Sequence, residues 1–275
     1  MNKGVLCVLL LVFAFPALSV AELDLDKDVL IIPDTHNAKP YIWDVARNPK
    51  GYELVMDEAI QSGTDERQFS FEISQYSVRS ILEMHVFVTD SDLHFFRHIS
   101  PLLSGGKYRF SLEVPRTDTY RFEIVFRTEA GWINLKKDLK VSGGGKAPDD
   151  QDVDKGYSAD VKLIPRKVYA EHVVTFLFRL IHDGVPINDI EKVDGTDMRL
   201  ASWDEDLKEF IYVTSKQNPG GPEVAVSAVF MRPGKRAVFA DFRHQGKARK
   251  VEFVIDLLAE PPQSKDGIES LRPAD

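Results

Sequence analysis

The chain has 275 residues, 43% of them hydrophobic and 28% charged, with a formal net charge of −8. Those values are ordinary for a folded globular protein and argue against wholesale disorder. The acidic balance argues against nucleic acid as a partner, because phosphate recognition relies on a basic field, and no basic run or basic amphipathic stretch suits an anionic membrane surface.

Residues 1–21 have the parts of a secretory signal: Lys3, an apolar stretch from Val5 to Leu18, and the small-x-small site Ser19-Val20-Ala21. The apolar stretch is too short to span a bilayer, and no later stretch approaches the ~20 residues a spanning helix needs. The expected product is an exported protein, periplasmic or extracellular, starting at Glu22 and without a membrane span in the mature chain. The single cysteine, Cys7, falls inside the signal. The mature chain therefore has no disulfide, thiol nucleophile or thiolate ligand.

Residues 22–50 carry Pro33, Pro40 and Pro49 and read as an arm laid on the first domain. From Gly51 the pattern turns to period two. Phe69, Phe71 and Ile73 alternate with polar residues, as do Tyr108, Phe110, Leu112 and Val114, and then Tyr120, Phe122, Ile124 and Phe126. Such alternation marks strands with one face on a core and one in water. Gly105-Gly106 and Arg116 to Thr119 punctuate the runs as turns. About seven strands fit between Tyr52 and Val141, enough for a small sandwich. Residues 144–157 are a glycine- and aspartate-rich linker. Alternation resumes with Val174, Phe176, Phe178 and Leu180, continues through Val224, Val226, Ala228 and Phe230, and closes with Val251, Phe253 and Ile255. Residues 261–275 are a polar tail.

The two halves repeat. Glu83 to Pro101 has a worn copy in Asp197 to Ser215, pairing Met84 with Met198, Asp92 with Asp206, Leu93 with Leu207, Phe96 with Phe210 and Ile99 with Val213. The offset drifts from 114 at Asp92/Asp206 to 115 at Gly105-Gly106/Gly220-Gly221 and 116 at Phe126-Arg127/Phe242-Arg243, as loop insertions within a shared strand framework produce. The expected fold is all-β: after a cleaved signal peptide, two tandem immunoglobulin-like β-sandwiches, the first with its arm over 22–143 and the second over 158–260. The glycine-rich linker disfavours a single continuous barrel. Each half is large enough for its own core.

Three stretches of the first half, Met84-His85-Val86-Phe87-Val88, Asp92-Leu93-His94-Phe95-Phe96 and His98-Ile99-Ser100-Pro101, carry a resemblance. So do Phe178 to Ile190, Gly220-Gly221-Pro222-Glu223-Val224 and Arg232-Pro233-Gly234-Lys235 in the second. Together they resemble a family of exported bacterial proteins with tandem immunoglobulin-like repeats, the YtkA-like type. The resemblance implies a setting at the cell envelope and an association with heavy metals. The chain departs from that pattern where His-x-His-Pro has become His98-Ile99-Ser100-Pro101. In the second copy Arg199 and Tyr212 stand where the first has His85 and His98.

His85, His94 and His98 are the one histidine cluster. Two imidazoles, His85 and His98, can seed a copper or zinc site, though a stable site takes three or four ligands. Met84 is a softer candidate for copper(I), but Met198 matches it in a histidine-free copy, which favours packing. His94 matches Lys208, a solvent-facing loop position. Without a metal, His85 and His98 read as polar edge residues.

Asp150, Asp152, Asp154 and Gly156 approximate a calcium loop. The glycine is one place late, however, and Val161 stands where a bidentate glutamate belongs. Asp90, Asp92, Asp204 and Asp206 recur before Leu93 and Leu207, as residues that cap backbone amides in tight strand connections do. No nucleophile elbow, His-Glu-x-x-His or phosphate-binding glycine loop is present. The expectation is a non-catalytic exported interaction or scaffold protein, partnered by another envelope or secreted protein and needing no cofactor. The alternative is an accessory copper- or zinc-binding protein that uses His85 and His98.

Overall fold

The computed structural model describes residues 45–47, 49–60, 66–75, 81–142, 156–215 and 222–259. The signal segment, the arm before residue 45, residues 144–155 of the linker, Gly220-Gly221 and the polar tail lie outside them. Among the described residues every regular element is a strand. No helix of these residues is long and apolar enough to cross a membrane.

The first half contributes β1 (Val45–Arg47), β2 (Tyr52–Ile60), β3 (Glu66–Gln75), β4 (Glu83–Thr89), β5 (Phe96–Ile99), β6 (Leu102–Ser104), β7 (Lys107–Glu113), β8 (Asp118–Thr128) and β9 (Gly131–Val141). They form one sheet in the order β2-β3-β7-β6 and another in the order β1-β9-β8-β4-β5. All pairings are antiparallel except that of β1 with β9. Phe69, Phe71, Phe110, Phe122, Ile124 and Phe126 point between the sheets and are buried, as their period-two spacing requires.

The second half contributes β10 (Tyr157–Ile164), β11 (Val173–His182), β12 (Val185–Pro186), β13 (Met198–Asp204), β14 (Phe210–Thr214), β15 (Glu223–Val229), β16 (Gly234–His244) and β17 (Lys247–Leu257). One sheet holds β10, β11 and β15, with β12 folded onto the end of β11, and the other runs β14-β13-β16-β17. Its core is Phe176, Phe178, Leu200, Val226, Phe230, Val238 and their neighbours.

In both halves the strand order is that of an immunoglobulin-like sandwich. β2, β3 and β7 lie in one sheet with β4, β5, β8 and β9 in the other, and β10, β11 and β15 lie in one with β13, β14, β16 and β17 in the other. A tyrosine corner marks the first copy, where the Tyr120 hydroxyl donates to the Arg116 carbonyl at 2.9 Å. The repeat holds at the level of register: Met84 pairs with Phe126, and Met198 with Phe242. The loop after the third strand is also duplicated. Asp90 Oδ1 accepts the amides of His94 (2.8 Å) and Phe95 (3.0 Å), and Asp204 Oδ1 those of Lys208 (2.7 Å) and Glu209 (2.8 Å). These carboxylates hold Leu93 (φ 60°) and Leu207 (φ 55°) in the left-handed region, which L-residues with a Cβ avoid. Arg116 reaches Asp90 at 3.0 Å, and Arg232 reaches Asp204 at 2.9 Å.

One pair of core positions differs in kind. Phe95 and Tyr120 meet edge to face, centroids 5.4 Å apart, in the first copy. At the matched places the second copy has Glu209 and Arg236, joined at 2.5 Å and both buried. Arg236 also donates to the Glu209 carbonyl at 3.1 Å and lies 4.6 Å above the Phe230 ring. Burial lowers its pKa, and Glu209 counters that shift.

Two cores were expected. A third apolar cluster was not, and it joins the copies. Phe87 on β4, Phe96 on β5 and Val125 on β8 pack against Ala201 and Trp203 on β13, Phe210 and Tyr212 on β14, and Ala237 and Phe239 on β16. The β4-β5-β8 face of one sandwich is thus seated on the β13-β14-β16 face of the other, the two copies meeting through matched faces. This seam buries strands on both sides, and every residue of β13 is buried.

Candidate functional site: an imidazole pair in the seam

His85 lies on β4, an interior strand between β8 and β5, and is 2% exposed. The edge position expected for it is therefore a misassignment. Its outward face is not open to water, because the second sandwich covers it. His98 does lie on the edge strand β5, but the same cover leaves its side chain only 9% exposed. The β4–β5 pairing brings the two rings together, with His98 Nε2 3.0 Å from His85 Nδ1. Met84 and His94 do not join them. Met84 points the other way along β4, into the first core, and His94 is an exposed loop residue.

Each outer nitrogen of the pair meets a carboxylate. His85 Nε2 is 2.8 Å from Glu83 Oε1, and His98 Nδ1 is 3.2 Å from both oxygens of Asp241, a β16 residue of the other sandwich. Ionised carboxylates only accept, so both outer nitrogens must carry protons. Between the facing ring nitrogens there is room for one proton. His85 is pushed down to about 4, by burial first, then by His98 and Arg199, against the pull of Glu83.

Aromatic rings and ion pairs enclose the pair. Phe87 stacks on His98 with centroids 4.4 Å apart, and Tyr212 lies 5.4 Å and Trp132 6.2 Å from His85. Arg199 pairs with Asp194 and lies 3.9 Å from Asp241. Deeper in the seam Glu123 is 2% exposed, and burial pushes its carboxyl up to about 7. Arg121 opposes that rise most, with Asn134, Lys136 and Trp203 helping.

Sequence reasoning found the two histidines but missed Glu83, Glu123, Arg199, Tyr212 and Asp241 as their surroundings. The available signal was the run of consecutive apolar residues in Val86-Phe87-Val88, Ile124-Val125-Phe126 and Ala237-Val238-Phe239-Ala240, which breaks period two and marks strands covered on both faces.

All four nitrogens of the two rings have a polar partner. Among the described residues no group of three or more His, Cys, Asp or Glu side chains is arranged to hold an ion. The chain from Glu83 through His85 and His98 to Asp241 links the two sandwiches by polar contacts.

A family model described as a domain of unknown function (DUF8832) matches residues 151–258, the second sandwich. No curated protein matches the chain. Among solved structures, a tetra-tandem repeat from the extending region of a large adhesion protein shares 11% identity at a TM-score of 0.27, over 76% of this chain and 50% of that one. The Escherichia coli adhesin FdeC shares 9% at 0.28, over 75% and 64%. The chicken interferon gamma receptor alpha chain shares 12% at 0.25, over 69% and 92%. The chain thus spans about half the length of the first of these. Overlap at this level says nothing about function, and the fold assignment rests on the strand order.

Proposed function

We propose that the protein is a non-catalytic interaction or scaffold protein working outside the cytoplasm, at the cell envelope. The observation that carries this reading is the seam. Two immunoglobulin-like sandwiches commit matched faces to each other, which seals the polar cluster between them and leaves the outer sheets and loops for a protein partner. The signal-like residues 1–21 and the similarity to YtkA-like exported proteins support the setting. The test places a photo-crosslinking residue at Leu103 on the exposed strand β6 and, as a control, at buried Phe239. The expected result is one discrete adduct from the outer position, competed by unlabelled protein, and none from the seam. No competed adduct from Leu103 or from a panel of other outer-sheet positions would overturn the proposal. Intact mass of the exported protein checks the setting, with Glu22 expected as the first residue.

The accessory copper or zinc reading rests on the 3.0 Å approach of His85 and His98 alone. Calorimetric titration with copper and zinc tests it. A saturable heat that disappears in a variant lacking both imidazoles would favour it over the first reading.

A further inference from the structure

The β6–β7 hairpin leaves part of its own sheet unfinished. Gly105 (φ 62°) and Gly106 (φ 82°) both take positive φ, which makes the two-residue turn type I′. In such a hairpin the flanking residues, Ser104 and Lys107, exchange main-chain hydrogen bonds. Antiparallel geometry then turns the main-chain groups of every second residue after Lys107 toward the β6 side, those of Arg109, Ser111 and Glu113. Arg109 is met there by Leu102, the first residue of β6. Before Leu102 comes Pro101, which has no N–H to continue the ladder. β7 runs on to Glu113, and among the described residues no strand pairs with Ser111 or Glu113 on that side. Two main-chain donors and two acceptors are left at an open edge.

A cleft of about 480 Å³ lies along that edge. Its lining includes Phe110 and Ser111 of β7, and Ile99 and Ser100, where the chain crosses between the sheets. The volume is within the range of ligand sites. Beside it Leu102 and Leu103 are 76% and 65% exposed, an apolar pair on an edge strand that carries no charge. Proteins blunt their sheet edges with charges, and an edge left apolar suits pairing with another chain. Arg109 also lines the cleft and has no hydrogen-bond or ion-pair partner among the described residues. The acid in its cross-strand row, Asp57, is two strands away and meets Lys107 at 3.5 Å. Glu113, on the same face of β7, stands at the far end of the open edge.

We infer that the open edge of β7 takes an extended segment of a partner protein as an added strand, with an acidic side chain of that segment pairing with Arg109. The inference rests on the interaction reading above and gives it a site and a partner chemistry. Side chains alternate along a strand, so a residue set opposite Ser111 points to the outer face, within diagonal reach of Arg109. Its two neighbours point the other way, to the side of buried Phe110 and Leu112. The recognised pattern is therefore apolar-acidic-apolar, main-chain hydrogen bonds supplying affinity and the carboxylate supplying register.

The test is an amide-resolved NMR titration of the exported chain with the capped peptide Thr-Val-Glu-Val-Thr, its lysine counterpart Thr-Val-Lys-Val-Thr, and a backbone N-methylated form of the first. Saturable shifts and slowed hydrogen exchange are expected at the Ser111 and Glu113 amides, strongest with the glutamate peptide and absent with the N-methylated one. Arg109→Glu should weaken the glutamate peptide roughly fivefold and turn the preference to lysine. Ser111→Pro removes an outward N–H that takes no part in the β3 ladder, and should abolish binding. Arg109→Glu, at an exposed side chain, decides the matter if the proline variant does not fold. The inference is overturned if no peptide perturbs these amides, or if the lysine peptide binds wild type as well as the glutamate peptide does. It is also overturned if the chain self-associates in a way that Ser111→Pro abolishes, which would make the occupant a second copy. A failed titration beside a competed adduct from Leu103 overturns this inference alone and leaves the interaction reading standing.

Discussion

Phe96 and Phe239 stack face to face across the seam, centroids 4.4 Å apart and planes 5° from parallel, which makes the contact of the two sandwiches a packed interior. The repetition of Phe96 as Phe210 suggests a buried ring. It is 3% exposed, but its burial depends on the other copy. Phe96→Ala should cost roughly 3–5 kcal/mol, the usual loss for deleting a buried aromatic ring. Chemical denaturation measures this, and a cost below ~1 kcal/mol would mean that the seam does not persist in solution.

Two seam groups make stability depend on pH in opposite senses. His85 has a folded-state pKa below its ordinary value, so its contribution is present above about 6.5 and is lost as pH falls toward about 4. Glu123 has a raised pKa, so its contribution is present below about 4.5 and is lost as pH rises toward about 7. Each shift corresponds to roughly 3 kcal/mol. Over their shared window the two slopes largely cancel. Glu123→Gln should remove one slope, so that the variant gains stability as pH rises from about 4.5 to 6.5 while the wild type stays nearly level. Melting temperatures at half-unit pH steps test this, and parallel curves for the two proteins would refute it.

The duplicated aspartate loops predict matched phenotypes. Asp90→Ala and Asp204→Ala each strand two amides, and each should cost about 1–3 kcal/mol. The asparagine variants keep an acceptor and should cost less. Equal costs for alanine and asparagine in urea unfolding would show that the amides are not what these carboxylates serve.

Replacing Arg236 with Tyr leaves Glu209 buried without its cation and should cost about 3–5 kcal/mol. The double variant Glu209→Phe with Arg236→Tyr rebuilds the pair found at Phe95 and Tyr120, and should recover most of that loss. A double-mutant cycle with no coupling between the positions would sink this account of the swap.

The fold was legible because period-two strands and turn residues are local signals. The repeat was legible too: Asp90 and Asp204, three positions before Leu93 and Leu207, keep their loop chemistry even where neighbouring side chains have diverged. The seam was not, because Trp203, Phe210 and Phe239 look like ordinary strand residues until something is known to cover them. Period two says which residues share a face, not which face meets another domain. For the same reason His85 was found as a candidate but placed at an edge. Its burial comes from Tyr212 and Trp132, 127 and 47 positions away in the chain.

The seam also sets an order of events during synthesis. The last strand of the first sandwich ends at Val141, and the last strand of the second, which flanks β16, ends at Leu257. At ~5–20 residues per second, roughly 6–23 s pass between the two. For that time a completed first sandwich carries Phe87, Phe96 and Val125 uncovered on the face meant for its sequel. The matching face of a neighbouring unfinished chain is its nearest chemical equivalent. Crowding would thus favour wrong pairings between chains, and a holding chaperone that reads this apolar face would be needed most while the second half is still emerging.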